Sequence, residues 1–210
     1  MTALTALRSR PALAAPPMCA LFGLALGAAT YLLHGVSPVF ERATNSSSSW
    51  IVWTALAGAL IGRVRTAAAC GALMMITTCV GYYVTSSLSG TFGTGGIPTA
   101  LVWAAAGVVG GPLVGAAGWA VRREKGMRRH LGVALIGAVV AGEGLYLGLE
   151  LRYWGEAAAF LGLGTVLTAA LTRYRARETG PRPWLPLMLM PVAAAAYFGL
   201  EAGVLNALLG

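Results

Sequence analysis

The chain has 210 residues, of which 57% are apolar and only 10% charged. Soluble domains carry roughly 25% charged residues, so this composition excludes a protein whose surface mainly faces water. The net charge of +8 lies in short clusters between apolar runs, which assigns it to membrane orientation and anionic lipid headgroups and not to nucleic acid.

A bilayer core about 30 Å thick needs roughly 20 apolar residues per helix. The chain therefore divides into about seven predicted transmembrane helices with no room for a separate soluble domain, an all-α bundle read as one domain over residues 1–210. The first span runs from Pro16 to His34, and its charged start resembles a signal peptide without a small-x-small cleavage site, so it is read as a retained helix. The second, Ser48 to Gly62, is short. The third covers Thr66 to Leu88, the fourth Pro98 to Val121, the fifth Leu131 to Glu150, the sixth Gly155 to Leu171 and the seventh Trp184 to Leu209.

The basic clusters fix direction. They are Arg8/Arg10, Arg63/Arg65, Arg122/Arg123/Lys125/Arg128/Arg129 and Arg173/Arg175/Arg177/Arg182, and they fall at alternate span ends. Cytoplasmic loops are enriched in Lys and Arg. A cytoplasmic N-terminus leaves only Arg42 and Arg152 outside and sends the C-terminus out. If the second segment is instead re-entrant, the count falls to six spans.

Gly23/Gly27, Gly58/Gly62, Gly111/Gly115, Gly144/Gly148 and Gly199/Gly203 have the small-xxx-small spacing that lets helices approach closely in lipid. Pro112 lies mid-membrane in the fourth span and predicts a kink. Cys19, Cys70 and Cys79 read as small packing residues, not disulfides.

Several chemistries are absent from the sequence. It has no Asp, no His-Glu-x-x-His helix, no Gly-x-Ser-x-Gly elbow and no phosphate-cradling Gly-Lys-Ser/Thr loop. His34 and His130 fall at opposite membrane faces and read as interfacial residues, so no metal and no cofactor is expected. Polar and aromatic residues gather instead in the outer half: Thr30, Tyr31, Asn45, Trp50, Trp53, Thr77, Thr78, Tyr82, Tyr83, Trp103, Glu143, Tyr146 and Glu201. A carboxylate within the bilayer costs at least a few kcal/mol, so it faces a cavity, pairs, or is neutral. Glu143, with Tyr146 one turn away, is therefore the leading proton or cation site; the alternative is a Glu hydrogen-bonded to a hydroxyl that holds helices together. Trp50 and Trp53, one turn apart on one face, read as a pocket wall, whereas Trp119, Trp154 and Trp184 read as interfacial anchors.

Gly27-Ala28-Ala29-Thr30, Leu32-Leu33-x-Gly35-x-x-Pro38, Ala43-x-Asn45-Ser46, Gly81-Tyr82-Tyr83, Leu101-Val102-Trp103, Gly111-Pro112-Leu113-x-Gly115-x-x-Gly118 and Glu143-Gly144-Leu145-Tyr146 resemble an uncharacterised actinobacterial integral-membrane family, a domain of unknown function. The resemblance covers roughly Gly23 to Gly155. It implies a small multi-span bacterial membrane protein and supplies no activity.

The residues themselves point to a protein of the bacterial cytoplasmic membrane that binds or transports a small polar or cationic solute. Its pocket would open outward, with Glu143 as counter-charge, Tyr82, Tyr83, Trp50, Trp53 and Trp103 as walls, and Asn45, Tyr146 and Glu201 nearby. Its other partners would be membrane lipid and, on a second reading, a partner membrane subunit bound by the glycine-rich faces of a non-catalytic assembly protein. A third reading is a lipid-modifying membrane enzyme with Glu143 as base.

Overall fold

A computed structural model describes the backbone of residues 3–33, 36, 46–90, 96–174 and 182–209, with side chains from residue 14 in the first helix and, in the last, to residue 200 and at 202 and 203. The described residues form seven helices and no strand: α1 Ala3–Leu33, α2 Ser47–Leu60, α3 Val64–Leu88, α4 Gly96–Arg123, α5 Gly126–Leu149, α6 Trp154–Arg173 and α7 Leu185–Leu209. Ala14–Leu33, Val64–Leu88, Gly96–Arg123, Gly126–Leu149 and Trp154–Arg173 are long and apolar enough to cross a bilayer, and α7 contributes the shorter apolar segment Leu185–Leu200. The chain is thus a multi-pass membrane protein. At 1.5 Å per residue the 14-residue α2 is about 21 Å long, less than the hydrocarbon thickness. Contacts divide the chain into two compact units, Met1–Trp119 and Ala120–Gly210.

The first unit is built on direct backbone contact between α1 and α3. A Cβ on Gly23 would meet the Met74 carbonyl, one on Gly27 the Thr78 carbonyl and the Tyr82 amide, and one on Gly81 the Leu24 carbonyl. Contact partners advance together along both helices, so α1 and α3 run parallel. The intervening α2 runs back. It starts where Trp50 meets Thr30 of α1 and Tyr82 of α3. It ends where Ile61 packs with Cys19, Ala67, Cys70 and Met74. Helix α4 meets α3 in the opposite sense, Gly107 against Met75, Gly111 against Ala72 and Gly115 against Ala67, and crosses α2 at Gly58 and Ala55.

In the second unit α5 is the central helix. Its face Gly137, Gly144 and Gly148 packs antiparallel on α6, against Thr168, Leu161 and Ala157 respectively. Its face Ala138, Ala141 and Gly142 packs parallel on α7, against Met190, Ala194 and Tyr197. Buried threonines in both units are turned onto their own helices. The hydroxyls of Thr54, Thr78, Thr168 and Thr172 each donate to the carbonyl four residues earlier, at 2.7–2.8 Å. That arrangement makes a buried threonine tolerable where no water can pair with it.

Arg129 departs from its expected place among the surface charges. It is 1% exposed. Its Nε donates to the Val121 carbonyl at 3.0 Å, and its Nη2 donates to the carbonyls of Leu171, at 2.8 Å, and Tyr174. One guanidinium thereby serves the C-terminal ends of α4 and α6, whose last carbonyls have no partner within their own helix and carry the negative end of the helix dipole. By contrast Arg128 forms only an exposed pair with Glu124, at 3.6 Å.

The paired glycines differ in what they do. Gly23, Gly27, Gly58, Gly111, Gly115, Gly144 and Gly148 receive a neighbouring helix, whereas Gly62, Gly199 and Gly203 have open space where a Cβ would stand. Gly27→Ala is expected to force α1 off α3 and destabilise the protein by about 1–3 kcal/mol, as overpacking does. Gly62→Ala is expected to leave stability within about 0.5 kcal/mol of the parent. Reversible unfolding in mixed micelles measures both.

Candidate functional site

The aromatic residues predicted for the outer half come together in the first unit around Tyr82. Its ring lies 5.6 Å from Tyr31 at 84°, 5.1 Å from Tyr83 at 77° and 6.1 Å from Trp50 at 58°. The first two are edge-to-face pairs, the arrangement aromatic quadrupoles favour. A polar contact ties the cluster to α2. Trp50 is 8% exposed, and its Nε1 donates to Thr30 Oγ1 at 3.1 Å. The Thr30 hydroxyl in turn donates to the Leu26 carbonyl at 2.8 Å.

Trp53 does not share this environment. It is 44% exposed and meets only an outer edge of α1, with its ring 5.8 Å from Phe22 at 63°. The expected common wall of Trp50 and Trp53 is therefore split: three residues turn a helix by about 300°, enough to put one indole inside and the next at the periphery. Trp103 is half-buried on α4. Asn45 lies outside the described residues.

In the second unit Glu143 sits in the last third of α5 and is 7% exposed. Tyr146, one turn on, is half-buried, and so is Tyr197 of α7, whose ring rests against Gly142, 2.7 Å from where a Cβ would stand. Glu201 belongs to the last turns of α7, but its side chain lies outside the described residues. Glu150 is exposed and Glu156 half-buried. The α5–α6 turn between them carries Arg152 at φ 62°, with its guanidinium 6.0 Å from the Trp154 ring centre.

Tyr31 and Thr30, which the sequence grouped with the outer-half residues, belong to the aromatic cluster. Two features escaped the sequence. Tyr197 carried no signal beyond its ring. His130, expected at the interface, is 3% exposed, and neither ring nitrogen has a hydrogen-bond partner. Among the described residues no three His, Cys, Asp or Glu side chains converge to hold a metal ion. The three cysteines are free and buried, as small packing residues would be.

The chain belongs to the family of unknown function DUF6518. The match to that family runs over residues 6–205, nearly the whole chain and well beyond the Gly23–Gly155 stretch that carries the sequence resemblance. No curated protein and no solved structure matches the chain. Membership in DUF6518 therefore brings no activity with it, and function has to be argued from the residues.

The Trp50–Thr30 bond gives a direct check on the cluster. Trp50→Phe and Thr30→Val are each expected to cost about 1 kcal/mol. The double variant should cost measurably less than the sum, because both remove the same bond. A double-mutant cycle on unfolding free energies reads the coupling.

Proposed function

We propose that this DUF6518 protein binds a small polar or cationic solute within the membrane and acts in its transport across a bacterial cytoplasmic membrane. The observation that carries the reading is Glu143, a carboxylate 7% exposed in the last third of a transmembrane helix. Such groups are expensive in lipid and are associated with ion and substrate pathways or with compensating hydrogen bonds. Glu143 supplies the charge and Tyr146 a hydroxyl in the second unit. The cluster of Tyr82, Tyr83 and Trp50 supplies aromatic faces in the first, of the kind that attracts cations.

Seven crossings with a cytoplasmic N-terminus suit this reading. The parallel run of α1 and α3 supports α2 as a full return of the chain in place of a re-entrant hairpin, because two parallel neighbours need the chain brought back between them. Placing Arg8, Arg10, Arg63 and Arg65 in the cytoplasm then follows the positive-inside rule.

A second reading is favoured by α7, where Gly199 and Gly203 have open space at the Cβ position and Ala195 and Ala196 are exposed. A small-residue face of this kind accepts a partner helix, which is how a non-catalytic assembly protein would use it. Native mass spectrometry of the protein extracted gently from its host membrane separates the two. A bound small mass that disappears in Glu143→Gln is the expected result. A bare protein, or one carrying only another polypeptide, would transfer the weight to assembly.

A further inference from the structure

The two units carry glycine and tyrosine at corresponding positions. In the first, Gly27 of α1 lies against the backbone of α3 at Thr78 and Tyr82, and Tyr31, one turn after Gly27, meets the Tyr82 ring. In the second, Gly142 of α5 lies against α7 at Ala194 and the Tyr197 ring, and Tyr146 follows Gly142 by one turn. Gly27 and Gly142, Tyr31 and Tyr146, and Tyr82 and Tyr197 are each 115 positions apart. The same offset relates Leu32 to Leu147, Met75 to Met190, Tyr83 to Phe198, and the basic residues Arg8 and Arg10 to Arg123 and Lys125.

The helix order agrees. In each unit the first and third helices run parallel and the middle one returns between them. The longer α1–α2 loop is compensated by the shorter α2–α3 turn, so the offset is kept at both outer helices. Four of the seven tyrosines of the chain are used in these two pairs.

We infer that the chain is a tandem duplication of one three-helix module, α1–α3 and α5–α7 joined by α4, and that Tyr146 and Tyr197 are solute-binding residues of the second module, the counterparts of Tyr31 and Tyr82. The binding half of this inference rests on the solute reading above. The position of Glu143 corresponds to Ala28 in the first module, so the two copies share their tyrosine positions and only one carries a carboxylate. A small organic cation is the ligand class that both copies suit. Tyrosine faces attract it without regard to the substituents on nitrogen, and the carboxylate makes the second module the stronger site. Because a basic cluster precedes the first helix of each module, both modules begin at the same membrane face, with α4 as a single crossing between them. Parallel repeats of this kind recur among transporters.

The test uses the full chain in nanodiscs with tetramethylammonium as probe, followed by saturation-transfer NMR. Tyr82→Leu and Tyr197→Leu are each expected to weaken binding by roughly tenfold, while Tyr82→Phe and Tyr197→Phe keep it, because the ring and not the hydroxyl attracts the cation. In a cysteine-free background, Val36→Cys and Leu151→Cys, exposed positions just after the first helix of each module and 115 residues apart, should react with an impermeant maleimide from the same side. Labelling from opposite sides overturns the duplication. Loss of binding in Tyr82→Leu with full binding in Tyr197→Leu overturns the equivalence of the tyrosines. Absence of probe binding to the parent chain, or undiminished binding in Glu143→Gln, overturns the solute reading and the binding role of Tyr197 with it, while the labelling still decides the duplication.

Discussion

The backbone contact between α1 and α3 is the constraint from which the first unit follows. Lipid tails are as apolar as leucine, so helices in a bilayer gain nothing from burying apolar surface against each other. They associate through close packing and polar contacts. Gly23, Gly27 and Gly81 remove the side chains that would hold the two helices apart, and main-chain atoms of each helix come within dispersion range of the other. Once α1 and α3 are parallel and in contact, α2 has to return the chain, and Trp50 is delivered to Thr30 and Tyr82. The aromatic cluster is thus a consequence of glycine placement one turn below it.

The second unit uses the same device on two faces of α5 and adds an electrostatic one. Arg129, 1% exposed, is the most completely buried charged group among its described residues. Its three acceptors are carbonyls at the ends of α4 and α6. A charge so placed needs no carboxylate, because two helix C-termini together offer it partial negative charge and fixed acceptors. This accounts for an arginine inside a span end where a lysine could not serve several carbonyls in a fixed fork. His130 next to it has no such arrangement, and its unpartnered nitrogens add to the cost of this end of α5.

Helix positions and the membrane class were legible in the sequence because they depend on apolar length and on the spacing of arginines. The five long apolar spans of the structure overlap spans one, three, four, five and six as read from the residues. The direction that each side chain faces was much less legible. In water an amphipathic pattern marks the buried face of a helix. In lipid the outer face is apolar as well, so nothing in the run around Trp50 and Trp53 says that one indole is inside and the other at the edge. The same ambiguity hid the difference between Gly58, which receives α4, and Gly62, which receives nothing. Arg129 was misjudged because its neighbours Arg128 and Lys125 are ordinary exposed charges, and two of its three acceptors lie more than 40 residues away at Leu171 and Tyr174. Among the aromatic residues, Tyr31, Tyr82, Tyr83 and Trp50 could be grouped by depth, whereas Tyr197 emerged only from helix-to-helix contact.

The parallel run of α1 and α3 is the claim on which the fold of the first unit and the full return of α2 both rest. Cysteine cross-linking in native membranes tests it directly. The account predicts that the native Cys19–Cys70 pair, alone in a Cys79→Ala chain, and a Tyr31→Cys/Tyr82→Cys pair in a chain freed of native cysteines both close under mild oxidation. Closure of the exchanged pairs instead, Cys19 with Tyr82→Cys or Tyr31→Cys with Cys70, would mean that the helices run antiparallel and would contradict it.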